Sequence, residues 1–270
     1  MHSLTALFSN AMLPPPDFLA ALAAVFFATT LKAFAGFGFG LAVVPLLSLV
    51  MPPAVAVPMS LMLDLMGSTQ LAPMAHKQAD WRSLKLLVPA AFLAIPFGVH
   101  VLATISPHHL RIGISIILLA TVALMASGAR LPHRLPVPAV LGVGGLAGLL
   151  SGGTAMPGPP VMIYFLARPN TAAVNRSSLL IFFLFTDIGS IVAGVLSGLI
   201  AGHTFLLALM LSPALVLGNV TGHWLFGLAH EHHYRRVALT LLAIIALVTL
   251  VHLTLELCNV RAELRRTTCR

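Results

Sequence analysis

Two carboxylates stand where the surrounding sequence offers them almost no water. Asp64 sits in an apolar run over 54–74, and Asp187 in one over 173–198. An ionisable side chain inside a hydrophobic span is costly, so it marks a functional site by default. A carboxyl withdrawn from water can load and release a proton during a transport cycle. The competing role is structural, a hydrogen bond to Ser, Thr or free backbone near a helix break. Two cations accompany the acids. Lys32 lies four residues before Gly36, where it can draw an anion toward the adjacent glycines or snorkel to the interface. Arg176, in Asn175-Arg176-Ser177-Ser178, carries a planar fork that suits a carboxylate or sulfonate. It equally fits a cytoplasmic charge that sets orientation.

The elements that position these residues are broken helices. One break reads Gly36-Phe37-Gly38-Phe39-Gly40, and a second reads Gly152-Gly153-Thr154-Ala155-Met156-Pro157-Gly158-Pro159-Pro160. After each come a short apolar segment, a Pro-containing link, and a long helix bearing one acid. Both acids are followed by Gly-Ser, as Asp64-Leu65-Met66-Gly67-Ser68 and Asp187-Ile188-Gly189-Ser190. Paired breaks in corresponding positions of two halves are a pointer to a transporter's binding site. A new helix N-terminus exposes N–H groups and about half a positive charge, which attract anions. Glycine-rich stretches also serve close helix packing. The expected substrate-binding set is therefore Lys32, Gly36, Gly38, Gly40, Gly153, Thr154, Gly158, Pro159 and Arg176, with Asp64 and Asp187 as proton-coupling groups. Asn variants of either aspartate are expected to lose or uncouple transport while folding normally.

Composition places this machinery in lipid. Of 270 residues, 59% are hydrophobic and 8% charged, against about 25% charged in a soluble domain. The formal charge of +8 falls in links between apolar runs and at the C-terminus. That distribution suits loops beside anionic headgroups and not a nucleic-acid partner. The beginning of the chain reads as a retained first helix, since no basic region and cleavage site flank a short apolar core. Helices are expected at about 17–35, 40–50, 54–74, 84–103, 109–128, 136–150, 158–167, 173–198, 203–227 and 234–255. Segments 40–50 and 158–167 are too short to span and read as half-helices or re-entrant segments. The fold class is an all-α polytopic membrane protein with two inverted-topology repeats, 17–128 and 136–255, and about eight full spans. They are joined by a cytoplasmic linker, 129–135, with an N-terminal segment 1–16 and a basic tail 256–270. Placing the Lys/Arg-bearing links in the cytoplasm puts the tail, with Arg261, Arg265, Arg266 and Arg270, outside, against the positive-inside rule.

Other motifs carry weaker signals. Asn219, Thr221 and His223 form a polar cluster suited to interhelical hydrogen bonding. His230-Glu231-His232-His233 lacks tetrahedral spacing on a helix face and reads as a solvated link, so no metal is expected. Cys258 and Cys269 match no metal or disulfide pattern. No phosphate-binding loop is present, no cofactor is expected, and energy would come from an ion gradient or the solute's own. Ser151 beside Gly152-Gly153 leaves an intramembrane hydrolase as the alternative, given a base within reach. A membrane subunit of a larger complex is a third reading.

With these residues in view, the chain resembles the sulfite exporter TauE/SafE family of membrane permeases over nearly its whole length. The likeness rests on the two Gly-rich, Pro-flanked breaks, on Asp80-Trp81-Arg82 before the fourth apolar run, and on Tyr164-Phe165-Leu166 after the second break. The family's first break has more consecutive glycines, where this chain interleaves Phe37 and Phe39. The resemblance implies an inner-membrane permease, not an enzyme, for a small anion such as sulfite, a sulfonate or an organic carboxylate. Its partners would be that solute and the bilayer, with a homo-oligomer left open.

Overall fold

A computed structural model describes residues 14–35, 38–69, 72–127, 135–200 and 202–228. Within them the chain is all helical, with no strand. The helices are α1 (Pro15–Ala35), α2 (Phe39–Val50), α3 (Pro53–Thr69), α4 (Ala72–Gln78), α5 (Trp81–Thr104), α6 (Pro107–Ala126), α7 (Val137–Thr154), α8 (Gly158–Leu166), α9 (Ala172–Leu196) and α10 (Gly202–Leu228). Six of these (α1, α5, α6, α7, α9 and α10) contain stretches long and apolar enough to cross a membrane. The expected helix 234–255, the linker 129–135 except Leu135, the tail and the His230–His233 string lie outside the described residues, as does Gly36.

Two expectations need correction. The run 54–74 is two helices, not one, and the axes of α3 and α4 differ by 72°. Pro73, the second residue of α4, suits a helix start. Its ring would strike the carbonyl one turn back, and it has no N–H for a continuing helix, whereas near a helix start neither matters. The second break is also narrower than Gly152–Pro160. Gly152, Gly153 and Thr154 belong to α7, and the chain turns only at Ala155, which is left-handed at φ 53°. The N–H of Ala155 donates to Ser151 O (2.9 Å) and that of Met156 to Leu150 O (3.4 Å), closing the end of α7.

The α7 glycines serve packing. A Cβ on Gly144, Gly148 or Gly152 would come within 2.5, 2.2 or 2.4 Å of the carbonyl of Leu87, Ala91 or Ile95 on α5. Without such side chains the two backbones lie together, which in lipid substitutes for the missing hydrophobic drive between helices. On the other side of the molecule, α10 presents Gly218 and Gly222 to the carbonyls of Phe26 and Thr30 on α1. Thr30 and Thr221 bridge that contact, Oγ1 to Oγ1 at 3.1 Å.

Two buried clusters result. One joins α1, α2, α3 and α6 to the inward face of α10. The other joins α7, α8 and α9 to α5 and Ala75 of α4. Between them α3 and α9 pack against each other, bringing Asp64 and Asp187 to the middle of the molecule.

Candidate functional site

The first break depends on one glycine conformation. Gly38 caps α2 at φ 93°, ψ 8°, where a side chain is strained even though a Cβ would touch nothing. Two residues on, Gly40 meets the second break directly, since a Cβ there would lie 2.0 Å from the carbonyl oxygen of Ala155. The breaks therefore touch, and a small cavity of about 20 Å³ opens between them. Lys32, Gly38, Gly40, Asp64, Ala155 and Gly158 are among its walls. That space holds about one water molecule.

Lys32 reaches into the junction from the last turn of α1. It is 7% exposed, and its Nζ donates to Asp64 Oδ1 and, at 2.9 Å, to Ser68 Oγ. The ammonium also lies 5.8 Å from the centre of the Phe39 ring, within cation–π range. Asp64 and Ser68 are one helical turn apart on α3, so one face supplies both acceptors. Asp187 on α9 is 1% exposed and lies within electrostatic range of both Asp64 and Lys32. Its Oδ2 has no hydrogen-bond partner. One buried cation thus lies near two carboxyl groups, the partly buried Asp64 and the fully buried Asp187.

The two half-helix N-termini differ in chemistry. At α2 the N–H groups of Phe39, Gly40 and Leu41 have no acceptor within the helix. At α8 the opening residues are Pro157, Gly158, Pro159 and Pro160, of which Gly158 alone carries an N–H. Both ends retain the helix dipole, but α2 offers more hydrogen-bond donors.

The remaining expected residues fall elsewhere. Gly153 lies behind the junction, where a Cβ would be 3.3 Å from Gly98 O on α5. Thr154 donates to its own helix, to Leu150 O at 2.8 Å. Arg176 lines a different cavity, with Gln78, Ser177 and Asn219. Ser151 shares a hydrogen bond with Ser190, Oγ to Oγ at 2.9 Å, instead of facing a base. Among the described residues no group of His, Cys, Asp and Glu could hold a metal ion. The Gly-Ser pairs after the aspartates were legible in the sequence, but not that Ser68 would accept from Lys32 while Ser190 bonds Ser151.

A second polar network ties the ends of three helices. Asp80 caps α5, accepting from Ser83 N (3.2 Å) and Ser83 Oγ (2.6 Å), while its own N–H donates to Ser178 Oγ on α9 (2.8 Å). Tyr164 of α8 donates to Ser83 Oγ at 3.0 Å. Arg168 donates to the Tyr164 hydroxyl and stacks over its ring, 4.9 Å from the centroid. Partial burial pushes the Asp80 carboxyl up, but bonds from Ser83 and Asn170 and the charge of Arg168 outweigh it and hold it below its ordinary value. Its contribution to stability is therefore complete above about pH 4, the unfolded carboxylate's range, and is lost as pH falls through the lower folded value. Asp80→Ala is expected to cost about 1–2 kcal/mol at neutral pH. Its stability difference from wild type should narrow in acid, and unfolding curves at pH 7 and pH 3 check this.

Span-length helices, two breaks in contact and a buried ion pair at their junction define a multi-pass α-helical membrane protein with a charged centre. The sequence model of the family described as "Sulfite exporter TauE/SafE" matches residues 21–249. The chain belongs to that family and is a membrane transport protein. Neither the curated proteins nor the solved structures searched returned a match.

Proposed function

We propose that the protein is a secondary carrier of a small anion, with its site where the two helix breaks meet. The observation that carries this reading is Lys32, buried between the breaks, paired with Asp64 and within electrostatic range of Asp187. In the present arrangement Asp64 occupies the ammonium. A proton on Asp64 would release Lys32 to an incoming anion, assisted by the N–H groups of Phe39, Gly40 and Leu41. A proton on Asp187 would satisfy its bare Oδ2 and cancel the excess negative charge. Sulfite, sulfonates and small carboxylates all suit a single ammonium beside a helix N-terminus. The one-water cavity corresponds to a closed state, and loading requires the breaks to part. Lys32, Gly38, Gly40 and Gly158 form the anion-facing surface. Gly153, Thr154 and Pro159 support it from behind.

The two-repeat reading, 17–128 against 136–255 with inverted topology and about eight spans in a cell inner membrane, is part of this proposal. Two packing relations support it. α1 packs on α10 and α7 on α5, so the first helix of each repeat rests on the span-length helix that follows the acid-bearing helix of the other. The acid-bearing helices α3 and α9 pack on each other, as elements related by a two-fold would.

The test is flux in proteoliposomes. Sulfite, a short sulfonate and a small carboxylate would be offered with and without a pH gradient. Flux of at least one of them that responds to the gradient is expected. No flux of any anion in sealed, correctly reconstituted vesicles would defeat the reading.

A further inference from the structure

A second cavity, of about 780 Å³, lies between α1, α4, α9 and α10. What fills it depends on what can reach it. Met74 of α4 and Val220 and Trp224 of α10 frame its mouth and are 73%, 64% and 65% exposed. Val216 is exposed as well, so Val216, Val220 and Trp224 recur every four residues on one face of α10. They make an apolar stripe about 12 Å long that leads away from the mouth. On a membrane-spanning helix such a stripe meets hydrocarbon, and the cavity therefore opens sideways to the bilayer. Trp224 lies two residues past the apolar stretch Thr204–Gly222, at the headgroup level that tryptophan favours.

The polar groups of the lining sit together. Ser177 donates to Gln78 Oε1 at 3.5 Å, and Arg176 is the neighbour of Ser177 on α9. Among the described residues the lining holds one cation, Arg176, and no carboxylate. Arg176 already engages a neighbour within the protein, but a guanidinium has five N–H donors and can serve a ligand as well. The same end of the bundle carries Lys77, Arg82, Lys85 and Arg168, against one carboxylate, Asp80, among the described residues. Such an excess of cations marks a cytoplasmic face.

We propose that this cavity is a binding site for an anionic phospholipid of the cytoplasmic leaflet. The phosphate lies at Arg176, with Ser177 and Gln78 beside it, and one acyl chain leaves along the stripe on α10. Basic pockets between spanning helices on the cytoplasmic side suit anionic headgroups, and an Arg fork matches two phosphate oxygens at once. The apolar walls, Leu180 among them, gain from hydrocarbon what they would lose to water. The site is independent of what the protein carries, so it stands or falls apart from the permease reading.

Trp224 is one of two tryptophans, and Trp81→Phe makes it the sole reporter. Bromine on the upper acyl chain of a lipid quenches a tryptophan that the lipid touches. In phosphatidylcholine vesicles, brominated phosphatidylglycerol should half-quench Trp224 at about fivefold lower mole fraction than brominated phosphatidylcholine, the gain from one basic group near an anionic headgroup. High salt should shrink that preference. Arg176→Gln should bring the two lipids within about twofold of each other, and Arg176→Lys, which keeps the charge, should retain most of the preference. Lys85→Gln removes an exposed cation of the same end that does not line the cavity, and it should retain the full preference. Equal quenching by the two lipids in the parent protein would overturn the proposal. So would an undiminished preference in Arg176→Gln, or an equal loss in Lys85→Gln, which would make the effect one of diffuse surface charge. Relief of quenching by free glycerol 1-phosphate would give the site to a soluble anion. No quenching by either lipid would mean that protein covers the cavity, and either result sinks the lipid assignment.

Discussion

Lys32→Met is expected to lower the unfolding free energy of the purified protein by about 3–5 kcal/mol and to abolish anion flux. The stability loss follows from the pair's surroundings. Lys32 is 7% exposed, and the Asp64 side chain 15%. Removing the cation strands Asp64 near a second carboxyl group, Asp187, with no other cation at the junction among the described residues. A lone buried charge costs far more than a replaced pair, which can be neutral or even stabilising when apolar groups fill the space. Lys32→Met with Asp64→Asn should therefore recover most of the stability and none of the flux. Denaturation of the wild type, both single variants and the double variant gives the coupling directly. Additive effects in that cycle would show that the ion pair is not an energetic unit. Flux in Lys32→Met would remove the lysine from the anion path. The same logic revises one expectation from sequence. Asp64→Asn should be less stable than wild type, because it removes the counter-charge of Lys32 and leaves the ammonium donating to neutral acceptors, the new amide oxygen and Ser68 Oγ.

The second large effect concerns Asp187, and here the stability cost is expected to be small. Its Oδ2 makes no hydrogen bond, so Asp187→Asn breaks no known partner and keeps the side chain's shape. Coupling should be lost instead. A carrier that moves one proton per anion converts one pH unit into about tenfold accumulation, since a unit corresponds to about 1.4 kcal/mol. Wild-type proteoliposomes should reach that ratio, and Asp187→Asn should fall to about onefold while anion–anion exchange continues. Gradient-driven accumulation at the wild-type level in Asp187→Asn would refute a proton role for this residue. Loss of both accumulation and exchange would point to Asp187 holding the junction together rather than carrying protons.

Much of the fold was legible because its signals are local. Runs of apolar residues long enough to cross a bilayer, punctuated by Pro and Gly, marked nearly every helix within a few residues. The run 54–74 shows a limit of such local signals, since it holds two helices that periodicity read as one, while Pro45, Pro58 and Pro96 sit inside helices without dividing them. The glycines show a deeper limit. Gly38 is needed for its backbone angle, Gly40 for closeness to Ala155, and Gly148 for closeness to Ala91. A glycine in sequence carries no mark of which use it serves.

Sequence by itself determined the membrane class, the two Gly/Pro-rich interruptions and the placing of one acid in each of two apolar runs. These follow from hydropathy, from proline's missing N–H and fixed φ, and from the cost of charge in lipid, all of which act along a few neighbouring residues. Tertiary structure alone decided the charged centre. Lys32 could have snorkelled or faced an anion, and instead pairs with Asp64, 32 residues away, because α1 and α3 bring them to one junction. It moved Gly152 and Gly153 from the break to the α5 contact and placed Arg176 on a separate cavity. Partner choice depends on which helix faces meet, and that is settled by packing over the whole bundle rather than by any spacing along the chain.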